Sequence, residues 1–338
     1  MKALVYHGKK DLRLDEVNEP VCEDGYAMIK VSFCGICGSD LTIYEGKHVR
    51  AKPPLILGHE FSGVIAERKG SELPDLHVGD RVTVEPTFSC EVCDLCRSGS
   101  SHICLKKGLW GVDADGAFAR LVKVSLRGVY KLSDAVSLEE GAVVEPLAVA
   151  VRGVGISRLA IGESAVVLGG GPIGLLTAQV ARAAGAANVI VVEPVSFRKD
   201  IAGNLGFPVL DSEGANRENI LRLTDGKEID VVFDAAGAPG AALLGTQLVR
   251  RTGRIVIIAV YKELVPYDLI TLGYGEIQVF GSCIYTFKDF SKALSLVEKR
   301  KVDLMPLITH KFPLEQGIDA FKVLLSRENA QKVLIQIS

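Results

Sequence analysis

The sequence lacks a long apolar run: nowhere do about 18 consecutive apolar residues occur, the length that a membrane-spanning helix needs. The first residues, Met1 to Tyr6, run directly into an alternating strand pattern without the apolar core of a signal peptide. An excess of charge is also missing, because 39 Lys and Arg residues stand against 41 Asp and Glu residues. We therefore predict a cytoplasmic protein that binds neither nucleic acid nor a membrane.

Internal repeats and low-complexity tracts are absent as well. The length of 338 residues predicts two compact domains. Short alternating runs such as Ala27–Phe33 and Gly63–Ala66 dominate up to about residue 150 and predict a β-rich region. Strand and helix patterns then alternate to about residue 286, as a doubly wound parallel sheet requires. Composition alone does not place the last stretch, which begins near Phe287 and ends in the strand-like run Lys332–Ile337.

A glycine cluster opens the second region. The segment from Gly169 through Gly171 and Pro172-Ile173 to Gly174 fits G-x-G-x-x-G, follows the apolar run Ala165–Leu168 and opens a helical stretch. In this strand-turn-helix context the first glycine allows the tight turn, the second lets a pyrophosphate approach the backbone, and the third lets helix and strand pack closely. We predict a dinucleotide site.

The acid at the end of the next strand bears on the choice of dinucleotide. Glu193 follows the run Val189–Val192, where a carboxylate bonds both ribose hydroxyls and repels a 2′-phosphate. We expect NAD(H) rather than NADP(H), although Arg198 could contact a phosphate.

The carboxyl ends of parallel strands line the cofactor crevice. We therefore expect cofactor contacts from two later segments: Ile258, Ala259 and Val260; and Ser282 and Cys283. The segment Ala235 to Gly237 follows a strand in the same way.

Four cysteines lie close together in a loop rich in Ser, Gly and Asp. Cys90, Cys93, Cys96 and Cys104 are separated by two, two and seven residues. Four thiolates at such spacing can surround a zinc ion tetrahedrally and leave no position for water or substrate. We predict a structural zinc; four unrelated thiols or an iron–sulfur cluster are the alternatives. His102 is surplus to this set, and we expect it to be exposed.

A second set of metal-capable residues is dispersed. Cys37, His59, Glu60 and Glu145 stand in suggestive surroundings, but no spacing unites them, and a His or Glu beside glycines is usually an ordinary loop residue. Cys34 and Cys37 also form a Cys-x-x-Cys pair, although the βαβ context of a redox motif is missing. Cys34 is more simply a buried small hydrophobe.

Three motifs together resemble a known family. Gly58-His59-Glu60-x-x-Gly63, the four-cysteine lobe and the glycine-rich turn, in this order, look like the zinc-containing medium-chain alcohol dehydrogenases. The segment Glu145-Pro146-Leu147 is similar to the polyol branch, with sorbitol, butanediol and threonine dehydrogenases. The resemblance implies an α/β protein with a β-rich GroES-like catalytic domain over 1–149, a Rossmann domain over 150–286 and a return to the catalytic domain over 287–338.

The resemblance also implies roles for site residues. Cys37 and His59 would be ligands of a catalytic zinc, with Glu60 and Glu145 supplying oxygen directly or through water. Ser39 would take the proton of the substrate hydroxyl. Thr42 stands where many relatives have a histidine, so the proton relay would end on water or on the cofactor ribose, with His48 as a less favoured substitute.

Taken together, the resemblance implies two zinc ions per chain, NAD(H), a homodimer or homotetramer and hydride transfer to or from a secondary alcohol. The substrate would be a polyol, sugar alcohol, cyclitol or hydroxy acid. An L-threonine 3-dehydrogenase or vicinal-diol dehydrogenase is the alternative enzyme. A nucleotide- and zinc-binding protein without turnover is the alternative of a different class, and it would show no NAD reduction with any polyol.

Overall fold

A computed structural model describes residues 1–71, 73, 75–326 and 329–338. The chain divides into two compact units: the first comprises Met1–Glu145 and Ile308–Ser338, and the second comprises Pro146–Leu307. The first boundary lies a few residues before the expected position after residue 149. The second boundary lies after Leu307, whereas the sequence pattern placed it after residue 286.

The later boundary has a physical reason in the segment after residue 286. The helix there begins at Phe287, where Thr286 and Asp289 form a capping box. Farther along, the buried amide of Gln179 exchanges two hydrogen bonds with the main chain of Asp303, at 2.9 and 2.6 Å. These bonds tie the residues up to Leu307 to the second unit.

The first unit is built mainly of antiparallel strands. One sheet has the order β10-β6-β5-β3-β18-β17, with β9 also paired to β3; β2, β1 and β4 form a second sheet, and β7 pairs with β8. The last strand, β18, pairs with β3 and carries the chain end back into this unit. The strands are β1 (Lys2–Gly8), β2 (Asp11–Glu16), β3 (Tyr26–Gly35), β4 (Leu55–Ile56), β5 (Glu60–Arg68), β6 (Arg81–Val84), β7 (Thr87–Phe88), β8 (Gly108–Leu109), β9 (Leu121–Ser125), β10 (Val129–Lys131), β17 (Ile308–Pro313) and β18 (Lys332–Gln336).

Short helices connect these strands. They are α1 (Gly38–Tyr44), α2 (Asp94–Arg97), α3 (Leu138–Ala142) and α11 (Gly317–Ser326). The core combines alternate strand residues with aromatic side chains: Phe61 and Phe118 are fully buried, and Phe118 packs edge-to-face on Phe321 of α11.

The second unit is a parallel six-stranded sheet of order β13-β12-β11-β14-β15-β16 with helices in the connections. The strands are β11 (Ser164–Leu168), β12 (Asn188–Val192), β13 (Val209–Leu210), β14 (Ile229–Asp234), β15 (Val249–Ile257) and β16 (Gln278–Gly281). The helices are α4 (Val144–Ser157), whose first two residues belong to the first unit, α5 (Pro172–Ala183), α6 (Ser196–Asn204), α7 (Arg217–Leu223), α8 (Ala241–Leu248), α9 (Leu269–Tyr274) and α10 (Phe287–Glu298).

The chain enters this sheet at its centre with β11 and adds strands outward to β13. It then returns to the centre with β14 and adds strands in the opposite direction, which is the doubly wound arrangement. The predicted α/β class, with a β-rich part and a Rossmann-type sheet, is confirmed. None of the helices in the described part of the chain is both long and apolar enough to cross a bilayer.

Candidate active site

Three of the dispersed metal-capable residues come together in the first unit. Cys37 precedes α1, and His59 and Glu60 lie where β5 begins. One ligand atom from each lies within 4.8 Å of the others, and both His59 and Glu60 are buried. A sulfur, a nitrogen and a carboxylate oxygen at one point make a donor set that suits zinc. The fold thus brings together what sequence spacing could not.

Asp40 supports His59 from the other side of the ring. Its Oδ1 lies 3.6 Å from His59 Nδ1, while its Oδ2 accepts the main-chain N–H of Cys37 at 2.8 Å. At 3.6 Å the carboxylate makes no hydrogen bond to the ring, but its negative charge favours a proton on Nδ1 and leaves Nε2 as the ligand atom. Sequence reasoning missed Asp40; the signal was an acid three residues after Cys37, in the first turn of a helix.

The electrostatics of this site call for a cation. Burial lowers the pKa of His59, but the negative charges of Asp40 and Cys37 outweigh burial and raise that pKa well above its ordinary value. Burial also raises the pKa of the Asp40 carboxyl. A divalent ion bound among these groups would offset their mutual repulsion, so the residues present fit zinc.

Glu60 has a second partner that the sequence did not reveal. Lys332, on β18, donates to both carboxylate oxygens of Glu60, at 2.9 and 2.6 Å, and to the carbonyl of Ile36 at 3.3 Å. Both side chains of the pair are nearly inaccessible to solvent. Lys332 follows Glu60 by most of the length of the chain, so only the return of the last segment to the first unit explains the pair.

Glu145 lies apart from this set. It is buried in the first turn of α4, but it does not join the group of ligand atoms that Cys37, His59 and Glu60 form. Its charge still acts on the site, because it contributes to raising the pKa values of His59 and Lys332. The geometry therefore favours Glu145 acting at longer range than the other three.

The three residues considered for proton transfer differ in what they contact. Ser39 Oγ lies 3.4 Å from His59 Nε2, beside the atom that would bind the metal. Thr42 lies one turn farther along α1 and donates its hydroxyl to the carbonyl of Gly38 at 3.0 Å, so it is bonded within its own helix. His48 accepts main-chain N–H groups of Arg50 and Ala51 at Nδ1.

The four-cysteine lobe has the shape of a closed metal site. The distances between sulfurs are 3.5 Å for Cys93–Cys96 and Cys90–Cys104, 3.8 Å for Cys93–Cys104 and 3.9 Å for Cys90–Cys96. Four sulfurs about 2.3 Å from one zinc in a tetrahedron would lie about 3.8 Å apart, whereas a disulfide needs about 2.05 Å. The lobe fits a structural zinc.

The pKa values of the thiols in the lobe are shifted in opposite directions. Main-chain N–H groups of Val92 and Cys93 lower the pKa of the Cys90 thiol to about 6. The pKa of Cys93 is raised to about 11: a hydrogen bond from the main chain of Cys96 lowers it, but the neighbouring thiols and desolvation together outweigh that bond. His102 is buried, contrary to the expected exposure, because its 3₁₀ turn packs into the lobe.

The glycine-rich turn of the second unit has the expected form. Gly169 has φ of +95°, and Gly171 caps α5 with open space where a side chain would be. A Cβ on Gly174 would lie 1.8 Å from the carbonyl oxygen of Gly169, so helix and strand touch there. Main-chain N–H groups at a helix start beside an open approach fit the pyrophosphate of a dinucleotide.

Glu193, which follows β12, is hydrogen-bonded to this turn. It is buried, its Oε2 accepts the N–H of Gly170 at 2.7 Å, and its Oε1 accepts the N–H of Val195 at 2.9 Å. Arg198 lies 3.9 Å from Oε2, so its charge is directed at the carboxylate. The carboxylate therefore stands at the end of β12, where the ribose of a dinucleotide would bind.

The other predicted cofactor positions lie at the carboxyl ends of β15 and β16. Ile258 is buried, Ala259 is partly buried and Val260 is largely exposed. Ser282 is partly buried, with its Oγ inaccessible and without a hydrogen bond in the described part of the chain, while Cys283 is exposed. All of them share the sheet edge that carries the glycine-rich turn.

Comparisons with known proteins match both units. The models of the alcohol dehydrogenase GroES-like domain and of zinc-binding dehydrogenase match residues 23–134 and 172–299. A 2-dehydro-3-deoxy-L-galactonate 5-dehydrogenase of Pseudoalteromonas atlantica is 36% identical over 338 residues, covering 99% of this chain and 98% of the relative. A sorbitol dehydrogenase of Halalkalibacterium halodurans is 35% identical over 343 residues, with 99% of each chain covered.

Among solved structures, 2R,3R-butanediol dehydrogenase of Bacillus subtilis superposes with a TM-score of 0.92 at 32% identity, covering 100% of this chain and 99% of that one. The likeness therefore extends over both units and is not confined to one motif.

Proposed function

The chain belongs to the zinc-containing medium-chain alcohol dehydrogenase family, and from that premise we propose that it transfers hydride between NAD(H) and a secondary alcohol of a polyol, sugar alcohol, cyclitol or hydroxy acid. It is an enzyme rather than a nucleotide-binding protein without turnover, because the relatives that match it along the whole chain are dehydrogenases. The observation that carries the proposal is the convergence of Cys37, His59 and Glu60 beside Ser39.

Two zinc ions per chain are part of the proposal. Cys37 and His59 would hold the catalytic ion, with oxygen from Glu60 directly and from Glu145 through water, and the four-cysteine lobe would hold the structural ion. The catalytic zinc supplies Lewis-acid polarisation of the alcohol oxygen, and NAD⁺ supplies the hydride acceptor.

The residues of the chain divide the remaining work. The charge of Asp40 favours the His59 tautomer that leaves Nε2 for the metal, and Lys332 neutralises Glu60 so that its charge does not stand alone in a buried site. Ser39 Oγ accepts the proton of the substrate hydroxyl and releases its own outward. Because Thr42 donates within its helix, we propose that this proton passes to water or to the ribose of the cofactor.

Glu193 selects the cofactor in this proposal. A buried carboxylate held by two main-chain N–H groups accepts hydrogen bonds from ribose hydroxyls and repels a 2′-phosphate. We also assign cofactor contacts to the glycine-rich turn, including Pro172 and Ile173, to Ile258, Ala259 and Val260, and to Ser282 and Cys283. Arg198 would stay paired with Glu193 when NAD(H) is bound.

The edge of the sheet supports the proposal of an oligomer. Strand β16 ends the six-stranded sheet, carries no charged side chain and exposes Gln278 and Val279. Such an edge normally needs a cover, and exposed apolar side chains flank it in the chain: Val260, Leu264, Leu269, Ile270, Tyr274 and Phe287. We propose that a second copy covers it in a homodimer or homotetramer. The location that we propose is the reducing cytoplasm, which suits cysteines that bind zinc and form no disulfide.

A substrate screen tests the proposal. Purified enzyme would be assayed with NAD⁺ and NADP⁺ against secondary alcohols, sugar alcohols, cyclitols, hydroxy acids, vicinal diols and L-threonine. Reduction of NAD⁺ with a polyol or hydroxy acid supports the proposal. Preference for a vicinal diol would favour the second candidate, which the fit to butanediol dehydrogenase supports. A preference for NADP⁺ would contradict the role of Glu193.

A further inference from the structure

Asp234, the last residue of β14, holds the loops that follow two neighbouring strands. Its Oδ1 accepts the N–H groups of Ala236 and Gly237, at 3.0 and 3.1 Å. Its main-chain carbonyl accepts the N–H groups of Ile258 and Ala259, both at 2.9 Å. One residue therefore ties the loop after β14 to the loop after β15.

Tyr261 completes the arrangement. Its hydroxyl donates to Asp234 Oδ2 at 2.5 Å, a short bond to a carboxylate that is 2% exposed. Burial and the negative charge of Asp234 raise the pKa of Tyr261, so its hydroxyl remains a donor throughout the working pH range. Hydrogen bonds to an ionised acceptor are stronger than those between neutral groups.

The loop held by Asp234 lies against the glycine-rich turn. A Cβ on Gly169 would lie 3.0 Å from the main chain of Ala236, so the turn and the loop are in direct contact. Both held loops follow strand ends at the edge of the sheet that takes the cofactor. A shift of either loop would therefore change the surface that meets the dinucleotide.

We propose that Asp234 and Tyr261 are positioning residues for NAD(H): they fix the loops 235–237 and 258–261 in the arrangement that binds the cofactor. Neither residue needs to touch the reacting atoms. This inference rests on the proposed function, because it assumes that a dinucleotide binds at this edge. The strand-end pattern predicts cofactor contacts at residues 235–237 and 258–260, but it does not reveal the acid and the tyrosine that join the two loops.

The neighbouring Tyr267 provides a matched control. Its hydroxyl is also buried, and the charge of Asp234 also contributes to raising its pKa, but it makes no hydrogen bond within the described part of the chain. Tyr261→Phe removes a bond that holds the loops, whereas Tyr267→Phe removes the same atom without removing such a bond.

The test measures NADH binding to the whole enzyme by fluorescence titration. We expect Tyr261→Phe to raise the Kd for NADH about threefold to tenfold, and Tyr267→Phe to change it by less than about twofold. Amide hydrogen exchange of Ala236 and Gly237 without cofactor should be faster in Tyr261→Phe. Equal Kd values for Tyr261→Phe and the unaltered enzyme, or equal weakening in both tyrosine variants, would overturn the inference.

A second variant separates positioning from a general structural role. Asp234→Asn should raise the KM for NAD⁺ and leave the KM for the alcohol within about twofold. A lower kcat with an unchanged KM for NAD⁺ would mean only fewer folded molecules and would contradict the inference. If the unaltered enzyme fails to bind NADH, the proposed function fails; if it binds and Tyr261→Phe binds equally well, only this inference fails.

Discussion

The two cysteine-containing sites of the first unit differ in how the chain assembles them. The lobe takes four sulfurs from one short loop, and their 3.5 to 3.9 Å spacing closes the site. The other site takes Cys37 from the start of α1 and His59 and Glu60 from the start of β5, and Asp40, Ser39 and Lys332 surround them. A closed set of identical ligands stabilises a loop, whereas a mixed set beside a hydroxyl and a cation is suited to chemistry.

Removing a ligand from the mixed site, made by Cys37, His59 and Glu60, tests most severely whether this site and not the lobe performs the chemistry. Cys37→Ser should lower kcat/KM on the order of 10³-fold, because Lewis-acid polarisation of the alcohol is lost. Zinc content should fall from two ions to one per chain, with the melting temperature nearly unchanged. Zinc analysis and steady-state kinetics on the same preparation check this. A variant that keeps its turnover would place the chemistry elsewhere.

The hydroxyl beside His59 should have the next largest effect. Ser39→Ala removes the group that receives the substrate proton, and kcat at neutral pH should fall more than about tenfold. Ser39→Thr, which keeps a hydroxyl, should retain more activity than the alanine variant. Equal kcat values in the alanine variant and the unaltered enzyme would remove Ser39 from the mechanism.

Lys332, the buried cation of the mixed site, should contribute less to kcat/KM than the metal ligand Cys37 does. Lys332→Met leaves Glu60 without its partner, and we expect kcat/KM to fall about tenfold because the carboxylate changes its position relative to the metal. Lys332→Arg should recover part of the loss because it restores the positive charge. Kinetics and zinc content together check this, and a methionine variant that matches the unaltered enzyme in both would show that the pair is only structural.

Removing a cysteine from the lobe should have the opposite effects: it should lower stability and leave turnover nearly unchanged. Cys93→Ser should remove one zinc ion and lower the melting temperature on the order of 5–10 °C, because the metal holds together a loop in which three of the four cysteines are partly exposed. The kcat per folded chain should change by less than about threefold. Calorimetry and active-site titration measure the two effects. A large loss of kcat in folded molecules would mean that the lobe takes part in the reaction.

Contiguous signals were readable from the sequence and dispersed ones were not. The cysteine spacing predicts the lobe, and the strand, glycines and helix from Ala165 onward predict the sheet that the structure contains. Cys37 and His59 became interpretable only through resemblance to a family. Lys332 and Asp234 were missed, because their partners are set by the return of β18 and by neighbouring loops, which no local pattern encodes.

The structure divides after Leu307, later than the pattern indicates, and the expected exposure of His102 was wrong. The boundary depends on Gln179, whose side chain bonds Asp303 far along the chain, and His102 is buried because its turn packs against α2 of the same lobe. Local patterns report periodicity and turns, and they carry no information about such partners.

The most direct test is to locate zinc by anomalous scattering at its absorption edge, in crystals grown from a preparation that demonstrably oxidises an alcohol with NAD⁺. Two peaks per chain are predicted, one among Cys90, Cys93, Cys96 and Cys104 and one in contact with Cys37 and His59. A single peak confined to the lobe in such active protein would contradict the account.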